Sequence, residues 1–326
     1  MTDDKQIKID FIADKIPAFY IYLLEQGYFM KLPIRKDNVF FKSLKKLQEN
    51  LNQRTIRTKE ELYRFIHHSF LSKVQEEDRI VYTTYINEFQ SHFHAYSQFF
   101  DTNKDNIDNY VQALNETQKS YTKRLRQMYT FLKIKPEFKC YGIVTPVPFK
   151  TIDGAGNPQG FYILFIPKKK ENEIYIENSL LPESKKHTPL HEVGHVLYNN
   201  SGIRTDLAEQ KGLGAKKLIL TLSKYFFENP SKRLNQNMIP AWNALACVDE
   251  AVAVFSGCVS PDKAGYYGWE TADILSKQFY PIASQYLQEN KPMDDNLYKE
   301  LAVAFEHKMY QQINNKIISM SSSLER

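Results

Sequence analysis

The stretch from Thr188 to Gly202, TPLHEVGHVLYNNSG, constrains the fold more than any other part of the chain. Thr188 is a favourable N-cap, and Pro189 suits the first helical position, where its missing N–H costs nothing. Three apolar residues then recur at the spacing of one helical face, namely Leu190, Val193 and Leu197. The asparagines and the glycine that follow favour the end of a helix. The stretch therefore predicts a helix of about three turns.

His191, Glu192 and His195 lie within this predicted helix. The two histidines are one turn apart on the same face, where two imidazoles can bind one metal ion. Glu192 is rotated by about 100° from His191, so it can reach a water on that ion without binding the ion itself. Such a carboxylate can accept the proton of a water that a zinc ion activates. The alternative is an amphipathic helix that carries two histidines by chance.

The HEVGH sequence at 191–195 resembles the zinc-binding signature of the zincin metallopeptidases, in particular the gluzincin branch. The resemblance covers about residues 188–261. It implies one Zn²⁺ per chain and hydrolysis of peptide bonds. It also implies His191 and His195 as metal ligands and Glu192 as the general base.

A catalytic zinc needs a third protein ligand, and Glu250 is the candidate. It lies in a predicted helix over about 241–255 that is otherwise almost wholly apolar. A carboxylate is expensive to bury there unless it meets a cation. Asp249 is the main alternative. Small residues in both helices, among them Gly194, predict that the two helices approach each other closely.

A peptidase also needs a hydrogen-bond donor for the oxyanion that develops at the scissile carbonyl. The candidates are four residues far downstream: Tyr266, Tyr267, Tyr280 and His307. No motif selects among them.

Short apolar runs after Pro136 predict strands at 141–149, 161–166 and 173–177. Prolines make the first an edge or irregular strand, and clean alternation makes the third half-buried. In zincins the strand before the active-site helix often aligns an extended substrate by backbone pairing. The resemblance therefore makes 173–177 a candidate edge for substrate, with an ordinary hairpin strand as the alternative.

The remaining sequence favours helices. Residues up to about 135 predict one helix after another, including one over 11–29 and a capping box formed by Thr58 and Glu61. The expected fold is α+β and predominantly α-helical. A helical N-terminal region, 1–135, packs on a zincin-like metallopeptidase region with a small sheet, 136–326.

Composition limits the compartment and the partners. The net charge of +5 is too small for a nucleic-acid-binding surface, and no apolar run is long enough to span a membrane. Three cysteines without a CxxC pair favour a reducing compartment, and the N-terminus lacks the apolar run of a signal peptide. We expect a cytoplasmic protein, or one exported by a route that needs no signal peptide, with a peptide or protein as its substrate.

Two alternatives to a general peptidase stay open at this point. One is a regulatory, effector or toxin-type protease with a single protein target. The other is a non-catalytic helical interaction protein in which the HExxH motif is accidental.

Overall fold

Helices dominate the structure, a computed structural model that describes residues 9–25, 46–47, 50, 56, 58–66, 79–134, 140–146, 160–162, 172–177, 184–257 and 269–324. A small sheet accompanies the helices, so the prediction of a predominantly α-helical α+β protein is confirmed. No helix in these ranges is both long and apolar enough to cross a membrane.

The elements follow one another in this order: β1 (Ile9–Ile12), α1 (Lys15–Glu25), α2 (Lys59–Ile66), α3 (Arg79–Thr102), α4 (Lys104–Phe131), β2 (Cys140–Thr145), β3 (Gly160–Tyr162), β4 (Asn172–Glu177), α5 (Ser184–Asn200), α6 (Ile203–Ala208), α7 (Leu213–Glu228), α8 (Pro240–Ser256), α9 (Glu270–Gln288) and α10 (Asp295–Leu324). The predicted capping box is present at the start of α2. Thr58 Oγ1 accepts from the Glu61 N–H, and Glu61 accepts from the Thr58 N–H.

The four strands form one mixed sheet in the order β1-β2-β4-β3. β1 pairs in parallel with β2, and β2 pairs in parallel with β4. β3 pairs antiparallel with β4 over three residues, from Gly160 opposite Ile176 to Tyr162 opposite Ile174. Gly142 in β2 makes room for the Phe11 ring, which lies 2.3 Å from the position that a Cβ there would take.

Strand β1 corrects the prediction of a helix over 11–29. Residues 9–12 alternate between buried and half-buried and pair with residues 140–143 of β2, and α1 begins only at Lys15. The Asn115 side chain also bonds the Phe11 backbone, accepting from its N–H and donating to its carbonyl oxygen. Four residues are too few for a strand period to stand out beside a longer helical pattern.

The order of the strands also corrects two expectations about β2 and β4. β2 lies between β1 and β4, and β4 lies between β2 and β3, so neither is an edge strand. Ile174, Tyr175 and Ile176 are all buried, as is usual for an interior parallel strand and unlike the predicted half-buried one. Since residues 174–176 are paired on both sides, the proposal that 173–177 aligns a substrate by backbone pairing is wrong.

The chain forms two compact units that interleave along the sequence. We call them the helical unit, Met1–Ile7, Lys119–Phe138 and Lys186–Arg326, and the sheet unit, Lys8–Gln118 and Lys139–Lys185. This division differs from the predicted domains 1–135 and 136–326. The reason is the parallel pairing of β1 with β2, which joins residues near the N-terminus to residues after 139.

Each unit has an aromatic core. In the sheet unit, the Phe19 ring packs edge-on against Phe89 and Phe93, which lie on one face of α3 as their spacing predicts. In the helical unit, the Phe131, Phe255 and Phe279 rings pack together. α7 contacts α8 and α10, and α8 contacts α9, so α8 is a central element of this unit.

Candidate metal centre

Helix α5 carries the HEVGH sequence, and it begins one turn earlier than its sequence predicts. It runs from Ser184 to Asn200 and contains Pro189, so Thr188 is not its N-cap. Pro189 is the sixth residue of this helix, so it lacks the N–H that would bond the carbonyl oxygen of the fourth preceding residue, and the helix continues through it. The predicted positions of His191, Glu192 and His195 on one helix are therefore confirmed.

Helices α5 and α8 pack closely around Gly194. A Cβ at this glycine would lie 2.7 Å from the Ala253 Cα and 2.8 Å from the Ser256 Oγ, so only a glycine fits. His195 contacts Asp249, at the start of this region of α8, while His187 contacts Gly257 at its end. The contacts thus run in opposite order along the two helices, which are antiparallel. The predicted close approach is confirmed.

This packing brings three potential ligand side chains together. His191 Nε2 lies 3.8 Å from Glu250 Oε2, and His195 Nε2 lies 3.8 Å from Glu250 Oε1. One ligand atom from each of the three residues lies within 4.8 Å of the others. The imidazole rings of His191 and His195 are nearly perpendicular, with centroids 4.9 Å apart. His191, His195 and Glu250 therefore form a group that could hold a metal ion.

The dimensions and the chemistry of this group fit zinc. Ligands at about 2.0–2.1 Å from a tetrahedral zinc lie about 3.4 Å from one another. One ligand atom from each of the three residues lies within 4.8 Å of the others, so the largest separation needs to shorten by at most about 1.4 Å. Two imidazole nitrogens and one carboxylate oxygen are a common donor set of catalytic zinc sites, which keep a fourth position open. The Glu250 side chain keeps 31% of its accessible surface, so solvent reaches the group.

Asp249 is not part of the group, although it was the alternative ligand. Its Oδ1 lies 2.9 Å from His195 Nδ1, on the opposite side of the ring from the nitrogen that faces Glu250. A histidine that donates its Nδ1 proton to a carboxylate keeps the lone pair on Nε2 for a metal. The sequence contains the signal, a second carboxylate about 100° away on an apolar helix, but it does not show which nitrogen that carboxylate meets.

Burial and charge shift the pKa values of the three potential ligands, His191, His195 and Glu250. Burial and the neighbouring His195 hold the pKa of His191 well below its usual value, so His191 is neutral and has a free lone pair. Burial alone would lower the pKa of His195, but the carboxylates of Asp249 and Glu250 outweigh it and raise the pKa to about 10. Burial also raises the pKa of Glu250, with Asp249 adding to the effect and His195 opposing it.

Glu192 is buried beside these groups and is the candidate general base. Burial raises its pKa to about 7, His195 opposes the rise, and the charges of Glu250 and Asp249 add to it. The charges of His195, Glu250 and Asp249 thus all act on the Glu192 carboxyl group. A divalent cation in the group would favour the ionised carboxylate and lower this pKa again.

The carboxyl end of α8 is held by two cationic or polar side chains outside the group. His187 Nδ1 lies 2.9 Å from the Gly257 carbonyl oxygen, so the ring nitrogen donates and the oxygen accepts. Arg124 donates to the Phe255 carbonyl oxygen, and its guanidinium lies 4.3 Å from the centroid of the Phe255 ring. Donors at these last carbonyls stabilise the end of the helix.

The oxyanion donor stays open. His307 lies in a groove of about 770 Å³ between α9 and α10, which is lined also by Tyr286, Lys299 and Glu300. The Tyr280 ring packs against the Phe255 ring, 5.4 Å between centroids. Tyr266 and Tyr267 lie outside the described residues. These positions do not select a donor.

Comparison with models of protein families, with curated proteins and with solved structures found no match to this chain.

Proposed function

We propose that this protein is a zinc-dependent metallopeptidase. The single observation that carries the proposal is the meeting of His191, His195 and Glu250, whose ligand atoms come within 4.8 Å of one another although Glu250 is far from the histidines in sequence. Two further features support a catalytic rather than a structural site. The Glu250 side chain is partly exposed to solvent, and the buried carboxylate of Glu192 follows directly after His191.

Each residue has a role that follows from its position. When bound, zinc supplies a Lewis acid that polarises a carbonyl and makes a water more acidic. His191, His195 and Glu250 hold the ion and leave one position for water or substrate. Glu192 takes the proton of the attacking water onto a carboxylate oxygen and hands it to the nitrogen of the leaving amine.

The metal is tested first, by elemental analysis of the purified full-length protein. We expect about one zinc per chain, lost in His191→Ala and retained in Glu192→Gln. His187→Ala is the matched control, because this histidine lies one turn before His191 on the same helix but bonds the Gly257 carbonyl oxygen. Absence of zinc from the wild-type protein, after purification and after zinc addition, would overturn the proposal.

The reaction is tested by searching for new protein N-termini in a lysate treated with the protein. Wild type should generate them, and Glu192→Gln should not, although both hold zinc. Cleavage by Glu192→Gln would show that the assigned base is wrong. New N-termini in one protein alone would indicate a target-specific protease rather than a general one. None with either form would leave a zinc-binding protein without this activity.

A further inference from the structure

A chain of hydrogen bonds leads from the metal-binding group to the surface of the helical unit. His195 Nδ1 lies 2.9 Å from Asp249 Oδ1. The other oxygen of that carboxylate, Oδ2, accepts from the Asn199 side-chain amide at 3.4 Å. The amide oxygen of Asn199 in turn accepts from Arg204 at 2.8 Å. Both carboxylate oxygens of Asp249 thus have a defined partner, one on the ligand histidine and one on Asn199.

We infer that Asn199 and Arg204 are positioning residues for the metal centre, which act on His195 through Asp249. The inference rests on the proposed zinc site. A carboxylate with a hydrogen bond at one oxygen only can rotate about its Cβ–Cγ bond. Without the bond to Asn199, rotation of the Asp249 carboxylate would move Oδ1 away from His195 Nδ1. The Asn199 amide prevents that rotation. When the ion is bound, the remaining His195 proton therefore stays on Nδ1, and the lone pair on Nε2 faces the ion.

The polarity of the partners leaves the Asn199 amide one orientation. Arg204 has only donors, so the amide oxygen must face it, and the Asp249 carboxylate has only acceptors, so the amide NH₂ must face that side. The same NH₂ group donates to the His195 carbonyl oxygen at 2.7 Å, one turn earlier in α5. Every hydrogen bond of the amide thus supports the orientation that holds Asp249.

Arg204 is itself held in place. It lies in α6, which follows α5 after a turn at Gly202, where φ is +77°. Its guanidinium lies 5.9 Å from the centroid of the Trp242 ring in α8, within the range of a cation–π contact. The chain of hydrogen bonds therefore joins α6 to α5 and α8, the two helices that carry the proposed metal ligands.

Asn200 provides a matched control. Its amide donates to the Val196 carbonyl oxygen at 2.8 Å, the same bond to the fourth preceding residue that Asn199 makes to His195. Replacing either asparagine by alanine removes such a bond from the last turn of α5. The Asn199 amide in addition bonds Asp249 and Arg204, which connects it to the metal-binding group.

The experiment measures the zinc dissociation constant of the full-length protein by competition with a chelator of known affinity, together with the absorption spectrum of the Co²⁺ form. Asp249→Ala should weaken zinc binding by about 10- to 100-fold. Asn199→Ala and Arg204→Met should weaken it by about three- to tenfold, the effect of one lost hydrogen bond. Arg204→Lys should restore part of the loss, and Asn200→Ala should match wild type.

The double variant Asn199→Ala/Asp249→Ala decides whether Asn199 acts through Asp249. We expect it to bind zinc no more weakly than Asp249→Ala, since the residue through which Asn199 acts is gone. We also expect Asn199→Ala, and not Asn200→Ala, to shift the Co²⁺ absorption bands. Should Asn199→Ala fail to fold, Arg204→Met and its lysine counterpart carry the test.

Equal zinc affinity of Asn199→Ala and Asn200→Ala, or equal affinity of Arg204→Met and wild type, would overturn the inference. So would a double variant with additive losses. In each of these cases wild type still binds zinc, and the proposed function stands. A wild-type protein that binds no zinc removes the proposed function and this inference together.

Discussion

Replacing Gly194 by alanine tests whether the contact between α5 and α8 sets the geometry of the metal centre. The new Cβ would lie 2.7 Å from the Ala253 Cα, whereas ordinary contacts begin at 3.4 Å. The obstacle is backbone and cannot rotate away, so the helices must separate locally by about 0.7 Å. Glu250 lies one turn from Ala253 on the same helix. It would therefore move away from the imidazoles, from which it is already 3.8 Å distant.

The expected cost combines two opposing terms. Overpacking in a tight contact costs about 1–3 kcal/mol, while replacing glycine within a helix regains about 1 kcal/mol. We therefore expect the free energy of unfolding of the zinc-free Gly194→Ala protein to fall by up to about 2 kcal/mol. Zinc binding would require α5 and α8 to return to their wild-type separation. A strain of about 1.4 kcal/mol in that step weakens zinc binding about tenfold.

Two measurements check this prediction: urea unfolding in the presence of EDTA, and the zinc dissociation constant by chelator competition. Gly202→Ala is the control. Its φ of +77° disfavours alanine, but a Cβ there would meet nothing within 4 Å. It should lose about 1 kcal/mol of stability through its backbone alone and keep its zinc affinity. If Gly194→Ala has wild-type stability and binds zinc within twofold of wild type, the packing argument is refuted.

Three further predictions concern charge. Because the pKa of Glu192 rises to about 7 in the zinc-free protein, the folded state binds more protons than the unfolded one between about pH 4.5 and 7 and loses stability as the pH rises through that window. At pH 8 in EDTA, the free energy of unfolding of Glu192→Gln should thus exceed that of wild type by about 3 kcal/mol, and no difference at pH 8 would contradict the burial of Glu192. His195 has a pKa of about 10, so at pH 7 it carries a proton that zinc must displace. The apparent enthalpy of zinc binding should therefore depend on the ionisation enthalpy of the buffer, and this dependence should be weaker in Asp249→Asn. A binding enthalpy that is independent of the buffer would exclude this proton release. The Asp295 carboxylate accepts from the N–H groups of Gly214 and Ala215 at the start of α7, so Asp295→Ala should lower the free energy of unfolding in urea by about 1–2 kcal/mol. Asp294→Ala is the control, because Asp294 accepts from N–H groups of α10. An unchanged urea midpoint in Asp295→Ala would refute the cap on α7.

Local sequence determined the parts of the site that depend on helix geometry alone. His191 and His195 share a face because their spacing matches one helical turn, and this holds wherever the helix lies. The predicted start of α5 was wrong, because Pro189 favours the first helical position but the helix begins five residues earlier, at Ser184, and holds the proline in its second turn. The choice of Glu250 came from a physical cost, since a carboxylate in an apolar helix needs a cation.

Contacts between residues far apart in the chain were decided only by the tertiary structure. Asp249 and Glu250 are adjacent on α8, and both carry a carboxylate. Only the antiparallel packing of α5 against α8 at Gly194 places Asp249 beside His195 Nδ1 and Glu250 beside the Nε2 atoms of the two histidines. The same holds for β4, whose alternating sequence suits an edge and an interior position equally. Its place between β2 and β3 depends on which strands pair with it. Spacing along one element is local, whereas the partner of a side chain or a strand depends on the packing of the rest of the chain.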